Sequence, residues 1–461
     1  MGERAGVSSG IPTGVPIVVV GLGFGDESKG ATVDHLCATR DVSAVVRVNG
    51  GAQAAHNVVA DGVHRTGRLF GGGSLTLTPT LLTAATLVDP EALVREAWEL
   101  VGLGVENPFD LLTVDPDALV TTPIHRLANR TREDLRGAGR HGSCGMGVGE
   151  TAWFDLACRA GLSAGAVLGN LAAPADAPAA AMRVRDLADP ASIRRRLAEL
   201  ERFYHPLLVR GRHEVPSLAA MTDELAEVGA LLRVESSQSY LARAGERGTV
   251  VVEGAQGVLL DETYGFHPHT TWSTTRPTAA RTLLARAGLG RPYVLGLTRA
   301  YTTRHGAGPL PSEDASLATA LPEPHNGVGE YQGAWRTGHL DLVLLDYARQ
   351  LCGGIDGVGV SHLDVADRVE AVVGYTGGRG PGWSGGGSWG AGLVHRPGRD
   401  LDAMAAITRS LADVVPVREP TDADRTLELV SRAAGAPVVL TADGPERSDR
   451  SERVGRSARV A

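Results

Sequence analysis

The sequence predicts an α/β fold: a mainly parallel central sheet flanked by helices, P-loop-like at its start and carrying helical insertions. Three observations predict it. An unbroken apolar run beginning at Ile17 opens into the loop "GLGFGDESKG" and then a helical segment. Strand-like apolar runs alternate with amphipathic helical stretches along the chain, the pattern of a parallel sheet covered on both faces. These runs end in polar, glycine-bearing turns, and sheets of this class bind ligands beyond their strand C-termini.

In chain order, residues 1–16 contain no apolar stretch of signal-peptide type and are expected to form a flexible arm. Residues 17–21 read as a buried strand and 30–38 as the helix after the loop. "SAVVRVNGG" (43–51) reads as a second strand ending in a glycine turn. The Asp–Pro start and glycine stop of "DPEALVREAWELVGLG" predict a helix over 90–101. "ASIRRRLAELERF" and "DELAEVGALLR" are amphipathic helices, and "RGTVVVEGAQG" and "RPYVLGLTRAY" are strands. "HLDLVLLDYARQLCGG" is a helix and "IDGVGVSHLDVAD" a strand running into a loop. The glycine-rich stretch 374–392 is expected to be a long loop. "DLDAMAAITRSLADVV" and "APVVLTADGPERSD" close the chain with a helix and a strand. Residues 17–447 thus form one domain, and the charged segment 448–461 is expected to be a flexible tail.

The 461 residues are 43 % apolar and carry a formal charge of −8, which leaves no electrostatic footprint for nucleic acid or an anionic membrane. No apolar run approaches the roughly 20 residues needed to span a bilayer. Cys37, Cys144, Cys158 and Cys352 are scattered without metal-type spacing, which fits reduced thiols and a cytoplasmic location. Of 45 basic residues only one, Lys29, is lysine. A sole lysine inside a glycine loop marks a place where a compact ammonium, rather than the wider guanidinium fork, fits between phosphate oxygens.

The loop departs from G-x-x-x-x-G-K-[ST]: Ser28 stands at the second glycine, Gly30 replaces the hydroxyl residue, and Asp26 and Glu27 lie inside it. Helix N-terminal amides and Lys29 suit a polyphosphate. Asp26 is compatible with one if Mg2+ lies between them, or if it takes a proton from a substrate beside the terminal phosphate. An ordinary strand–turn–helix with an acidic first turn reads equally well from this loop alone. "RVNGGAQAAHN" places His56 after small residues, where backbone can approach a ligand; a structural histidine is the plainer alternative. "VVVEGAQGVLLDE" sets Gln256 among glycines, to read a base carbonyl and ring N–H or merely to tie its own turn. In "GVSHLDVAD", Asp364 stands like the guanine-reading carboxylate of N-K-x-D, with His362 in the lysine position. "RAYTTRHGAGPLPSE" is a polar turn with no core-packing reason for its composition.

The order of these pieces resembles the adenylosuccinate synthetase family over roughly 17–447, through "GDESKG", "GGAQAAH", "GSCGMGVG", "EGAQGVLLD", "AYTTRHGAGPLP", "RTGHLD", "HLDV", "PGW" and "ADGPERSD". The resemblance implies a Mg2+-dependent enzyme with GTP as co-substrate. Asp26 would remove the N1 proton of a 6-oxopurine nucleotide, whose oxygen attacks the γ-phosphate with His56 and Lys29 stabilising the charge. The amine of an amino acid, L-aspartate in the family, then displaces phosphate. Asp26 and the Ala55 carbonyl would be metal ligands. GTP would be bound by Gly25, Asp26, Glu27, Ser28, Lys29, Gly30, Ala55, His56 and Asn57. His362, Leu363 and Asp364 would read its guanine, and Ala442, Asp443 and Gly444 would line its base and ribose. Gln53, Cys144, Gln256, Thr271 and Arg336 would contact the other substrates. A homodimer is implied too, because the family donates an arginine across subunits.

The departures are as informative. Gln53 replaces an asparagine, Cys144 a phosphate-binding threonine and Met146 an arginine. The cross-dimer arginine aligns with Cys158, although Arg159 is adjacent. The amino-acid loop T-T-G-R-x-R-R-T-G-W becomes "EYQGAWRTGHLD", leaving Arg336 as a possible remaining clamp. Charge-assisted hydrogen bonds contribute roughly 1.5–3 kcal/mol each, so these losses predict a changed substrate. The expectation is a specialised-metabolism paralogue that ligates an amine to a nucleotide or related heterocycle. The ordinary reaction of IMP with L-aspartate, a non-catalytic GTP-binding homologue, and a kinase that stops at phosphorylation are the alternatives.

Overall fold

The computed structural model describes residues 10–162, 178–321, 323, 326–377, 383–387, 390–393 and 400–453. Strand Ile17–Gly21 is buried throughout, as an uninterrupted apolar run requires of a strand covered on both faces. It lies between Thr249–Gly257 and Tyr293–Arg299, parallel to both. From edge to edge the ten-stranded sheet runs Arg450–Glu452, Val438–Ala442, Gly357–Ser361, Tyr293–Arg299, Ile17–Gly21, Thr249–Gly257, Val42–Arg47, Thr80–Leu82, Leu112–Val114, Arg233–Val234. Every pairing is parallel except that of Arg450–Glu452, so the polar turns collect along one rim.

Alternate residues of the central strands serve opposite faces. Ile17, Val19, Val45 and Val251 pack with Val33 and Leu36 of the helix Lys29–Thr39. Val18, Val20, Val46 and Val252 share a core with Leu345 and Tyr347 of the helix Leu342–Leu351. A second core joins the insertion helices Pro90–Gly102, Pro123–Arg136, Val148–Ala160, Pro190–Leu208 and Leu218–Leu231 through Leu93, Ile124, Phe154, Tyr204 and Leu225. Asp89, Asp189 and Ser217 each cap one of these helices by accepting a backbone N–H from its first turn.

Three expectations need correction. Residues 10–16 are not a loose arm: Ile11 is buried, and Arg40 donates to the carbonyls of Ile11 and Pro12. The tail starting at 448 is not free up to residue 453: Arg450–Glu452 closes the sheet edge against Val438–Ala442, and Glu452 pairs with Arg40 at 2.6 Å. The glycine-rich stretch is not one long loop, because Glu370–Thr376, Trp383–Gly387 and Gly390–Leu393 are strands of a smaller sheet. In each case the order comes from pairing, with Arg40, with Val438–Ala442 or between the glycine-bearing strands themselves, which local composition does not reveal. Residues 1–9, 378–382, 388–389 and 454–461 of these segments lie outside the described residues. No helix among the described residues is long and apolar enough to cross a membrane.

Candidate active site

The cradle begins where Ile17–Gly21 ends and the helix Lys29–Thr39 starts. Asp26 and Ser28 have φ of 65° and 58°, a conformation side chains resist at roughly 1–3 kcal/mol each. That explains why a glycine is usual at the Ser28 position, and it turns the loop's amides inward at the helix start. Ser28 is tied across the rim to Ser361, with its Oγ 3.1 Å from the Ser361 Oγ. Lys29 is buried and pairs at 2.8 Å with Glu27, whose other carboxylate oxygen accepts the Gly25 N–H at 2.7 Å. Glu27, expected among the GTP ligands, is therefore the internal counter-ion of Lys29. Its side chain crosses Gly21 and Gly23 so closely that a Cβ on either would clash.

Asp26 faces out of this loop. Its Oδ2 lies 3.4 Å from His305 Nε2, and its carbonyl accepts Arg299 Nε at 2.5 Å. Burial opposes ionisation, but the His305 contact, with Arg299 and Lys29 nearby, holds the carboxyl below its usual range. Asp26 is thus an ionised carboxylate at neutral pH. Its charge and the Ala55 carbonyl are hard oxygen donors of the kind Mg2+ takes. No group of three or more His, Cys, Asp or Glu that could hold a metal exists among the described residues. Such a set fits an ion that draws its remaining ligands from phosphate and water, as Mg2+ commonly does.

His56 opens the hairpin His56–Ala60/Val63–Gly67 and leans on the cradle helix at Gly30, where a Cβ would sit 2.7 Å from the His56 Cβ. Its Nδ1 is 2.5 Å from Glu253 Oε1, and its Nε2 is buried without a partner. Glu253 is fully buried and also accepts the Gly72 N–H at 2.9 Å. Burial works against its charge, but His56, Arg47 and that N–H lower its pKa to about 2. An ionised Glu253 only accepts, so the His56 proton resides on Nδ1 and Nε2 is the open atom. Burial first, then Arg47, holds the imidazole below its ordinary value. Sequence reasoning missed Glu253 and Arg47. The signal was available: each is a charged residue within an otherwise apolar run of a central strand, paired in register with the other.

Gln53 and Gln256 are brought together. The same point, an imagined Cβ on Gly50, lies 3.7 Å from both Gln53 Nε2 and Gln256 Oε1. Both amide atoms of Gln53 and Oε1 of Gln256 are buried without partners, and Gln256 adopts φ 61°. Asn49 locks this turn by exchanging two hydrogen bonds with the Ala255 backbone. Cys144 lies in the turn before the helix Val148–Ala160, and burial raises its thiol pKa despite the opposing charges of Arg68 and Arg130. Neither arginine pairs with a carboxylate among the described residues: Arg68 donates to the Ala52 carbonyl and Arg130 to that of Gly145. These two cations were also missed. Thr271 is fixed by its N–H to the Leu260 carbonyl.

Two expected ligands are otherwise engaged. Arg336 forms a two-point pair with Glu313 and donates to the carbonyls of Gly306 and Gly308, so it is not a free clamp. Asn57 accepts from Thr66 within its own hairpin and lies 3.3 Å from His64, because strand alternation sends it away from His56. Arg159 is exposed on the surface and pairs with Asp155, while Cys158 is buried. At the far rim, His362 adopts φ 61° before the short turn containing Leu363 and Asp364. Partial burial and nearby Asp443 raise the pKa of Asp364, so the residues expected to read guanine and those of 442–444 do converge.

The family profile described as Adenylosuccinate synthetase matches residues 18–451. The adenylosuccinate synthetase of Neisseria gonorrhoeae is 31 % identical over 452 residues, covering 94 % of this chain and 97 % of that protein. That of Bordetella pertussis is 32 % identical, covering 94 % and 96 %. Among solved structures, a fully ligated adenylosuccinate synthetase from Plasmodium falciparum superposes with a TM-score of 0.74 at 19 % identity, covering 95 % of this chain and 99 % of that one. The succinoaminodeoxyadenylate synthetase of cyanophage S-2L, bound to dGMP and dATP, gives 0.54 at 16 % identity, covering 95 % of each chain. Fold, rim and sequence together assign the chain to the adenylosuccinate synthetase family of GTP-dependent carbon–nitrogen ligases.

Proposed function

We propose that this chain phosphorylates the amide-type oxo group of a purine nucleotide with GTP and replaces it with an amine, as a paralogue serving specialised metabolism. The observation that carries the acceptor half is the meeting of two unpartnered side-chain amides, Gln53 and Gln256, at Gly50. Two amides offer an N–H and a carbonyl, the complement of a lactam edge. Arg68 and Arg130 at Cys144 supply charge where the family's threonine and arginine are gone, which supports an acceptor that keeps its 5′-phosphate.

Asp26 accepts the ring N–H proton of that lactam, and the oxygen attacks the terminal phosphorus of GTP, releasing GDP. Lys29 and the Nε2 face of His56 meet the transferred phosphoryl group, with Glu253 balancing charge that builds on the imidazole. Mg2+ bound by Asp26 and the Ala55 carbonyl would neutralise phosphate charge. An amine then forms the C–N bond as the C–O bond breaks; phosphate leaves, and the amine gives up a proton. Asp364, with His362 and Leu363, selects guanine, and 442–444 line the nucleoside. The family is consistent with a homodimer acting in the cytoplasm on small molecules rather than on nucleic acid or membrane.

The ordinary reaction is the second reading, favoured by the names of the curated relatives. Phosphate release from GTP with IMP and L-aspartate separates the two: full turnover with that pair removes the paralogue. Asp26→Ala tests both, with an expected loss of at least 10³-fold in GTP consumption. Undiminished consumption would overturn the chemistry itself, and no consumption with any acceptor would favour a non-catalytic binder.

A further inference from the structure

Two walls meet at Asp26. One is the phosphate cradle. The other is the antiparallel pair Thr302–His305/Trp335–Gly338, which sets His305 opposite Trp335 in register. The His305 imidazole lies 3.4 Å from the Asp26 carboxylate, and its ring meets the Trp335 ring edge-on at 4.5 Å between centroids. Trp335 Nε1 is buried and lacks a hydrogen-bond partner.

Every arginine of this wall is already engaged. Arg299 is held by Glu323, Tyr301 and the Asp26 carbonyl. Arg304 donates to the carbonyls of Ala307, Pro309 and His269 and lies over Phe24. Arg336 is taken by Glu313 and two carbonyls. The wall therefore joins an imidazole to a buried indole N–H that has no partner; the Arg299 guanidinium lies 5.6 Å from the Trp335 ring, already committed, and no uncommitted cation stands among the wall's described residues. A ligand here finds aromatic contact and one donor that calls for a neutral acceptor oxygen. A carboxylate would be desolvated without a counter-ion.

We propose that His305 and Trp335 seat the attacking amine, and that the seat selects an uncharged side chain bearing a neutral oxygen over a dicarboxylic amino acid. The proposal rests on the ligase reading above. In the step concerned, the amine nitrogen bonds to the ring carbon, the carbon–oxygen bond to phosphate breaks, and one amine proton is lost to solvent.

The test uses the full chain with Mg2+, GTP and IMP. The donors are L-aspartate, L-aspartic acid diamide and 2-amino-1,3-propanediol, and phosphate release and adduct mass are measured. Donor binding is followed in parallel by saturation-transfer NMR. The neutral donors should exceed L-aspartate at least tenfold in kcat/KM, or in affinity where turnover is too slow to measure. Trp335→Arg should reverse that order while KM for GTP stays within twofold. Trp335→Phe keeps the ring and should erase the preference for 2-amino-1,3-propanediol over isopropylamine, so the idea stays testable if the arginine variant does not fold. L-aspartate equal to or better than the neutral donors, or neutral donors that do not bind, would overturn the proposal. Absence of GTP consumption with IMP and with every other purine nucleotide offered as acceptor would instead count against the ligase reading.

Discussion

Single residues decide the chemistry of this rim. Glu253 is the clearest case, because it sets which nitrogen of His56 is open while touching no expected substrate. Glu253→Gln keeps the shape but turns one acceptor into a donor, which permits the wrong His56 tautomer. We expect kcat to fall by about 10²–10⁴ with KM for GTP little changed, read by steady-state kinetics. Lys29 is the next. It is buried against Glu27 with its ammonium close against Gly21, so Lys29→Arg has no room for its guanidinium. Activity should drop at least 100-fold although charge is conserved, a result that would set this site apart from the arginines used everywhere else in the chain. The lysine was legible because it is unique in the sequence. Glu253 and Arg47 were not, because their meaning depends on two strands far apart in sequence lying side by side.

Elements were legible where periodicity was strong and boundaries were capped. The helix expected over 90–101 is Pro90–Gly102, started by Asp89, and the strand read from "RPYVLGLTRAY" is Tyr293–Arg299. The small sheet was misread because its glycines look like loop, and strand pairing is a property of neighbours rather than of composition. One element carries a pH signature. Asp341 caps the helix Leu342–Leu351 and accepts the Tyr375 hydroxyl at 2.5 Å, and burial pushes its pKa up to about 6. The unfolded chain ionises this carboxyl first, so its contribution is fully present at low pH and is lost as pH rises from about 4 through 6. Asp341→Asn removes that penalty. Its unfolding free energy from urea denaturation should exceed that of the unaltered chain at pH 7.5 by about 1–3 kcal/mol, with the advantage gone near pH 4.

At the scale of the molecule, the described segments 10–16 and 447–453 close the structure. Arg447 forms a two-point pair with fully buried Asp34 at 2.6 and 2.8 Å, joining the last segment to the cradle helix. Arg447→Ala strands that carboxylate and should cost about 3–5 kcal/mol in urea unfolding. Removing residues from 448 onward bares the edge of Val438–Ala442 and frees Arg40, and should add concentration-dependent aggregation visible by light scattering. The parallel α/β design and the rim were legible in the order of motifs; the closure by residues 10–16 and 447–453 was not. The bond between Ser28 and Ser361 spans 333 positions, and the nucleoside turn lies later still. A ribosome must therefore release nearly the entire polypeptide before this rim exists. Nascent fragments, however well their early strands fold, should be unable to consume GTP.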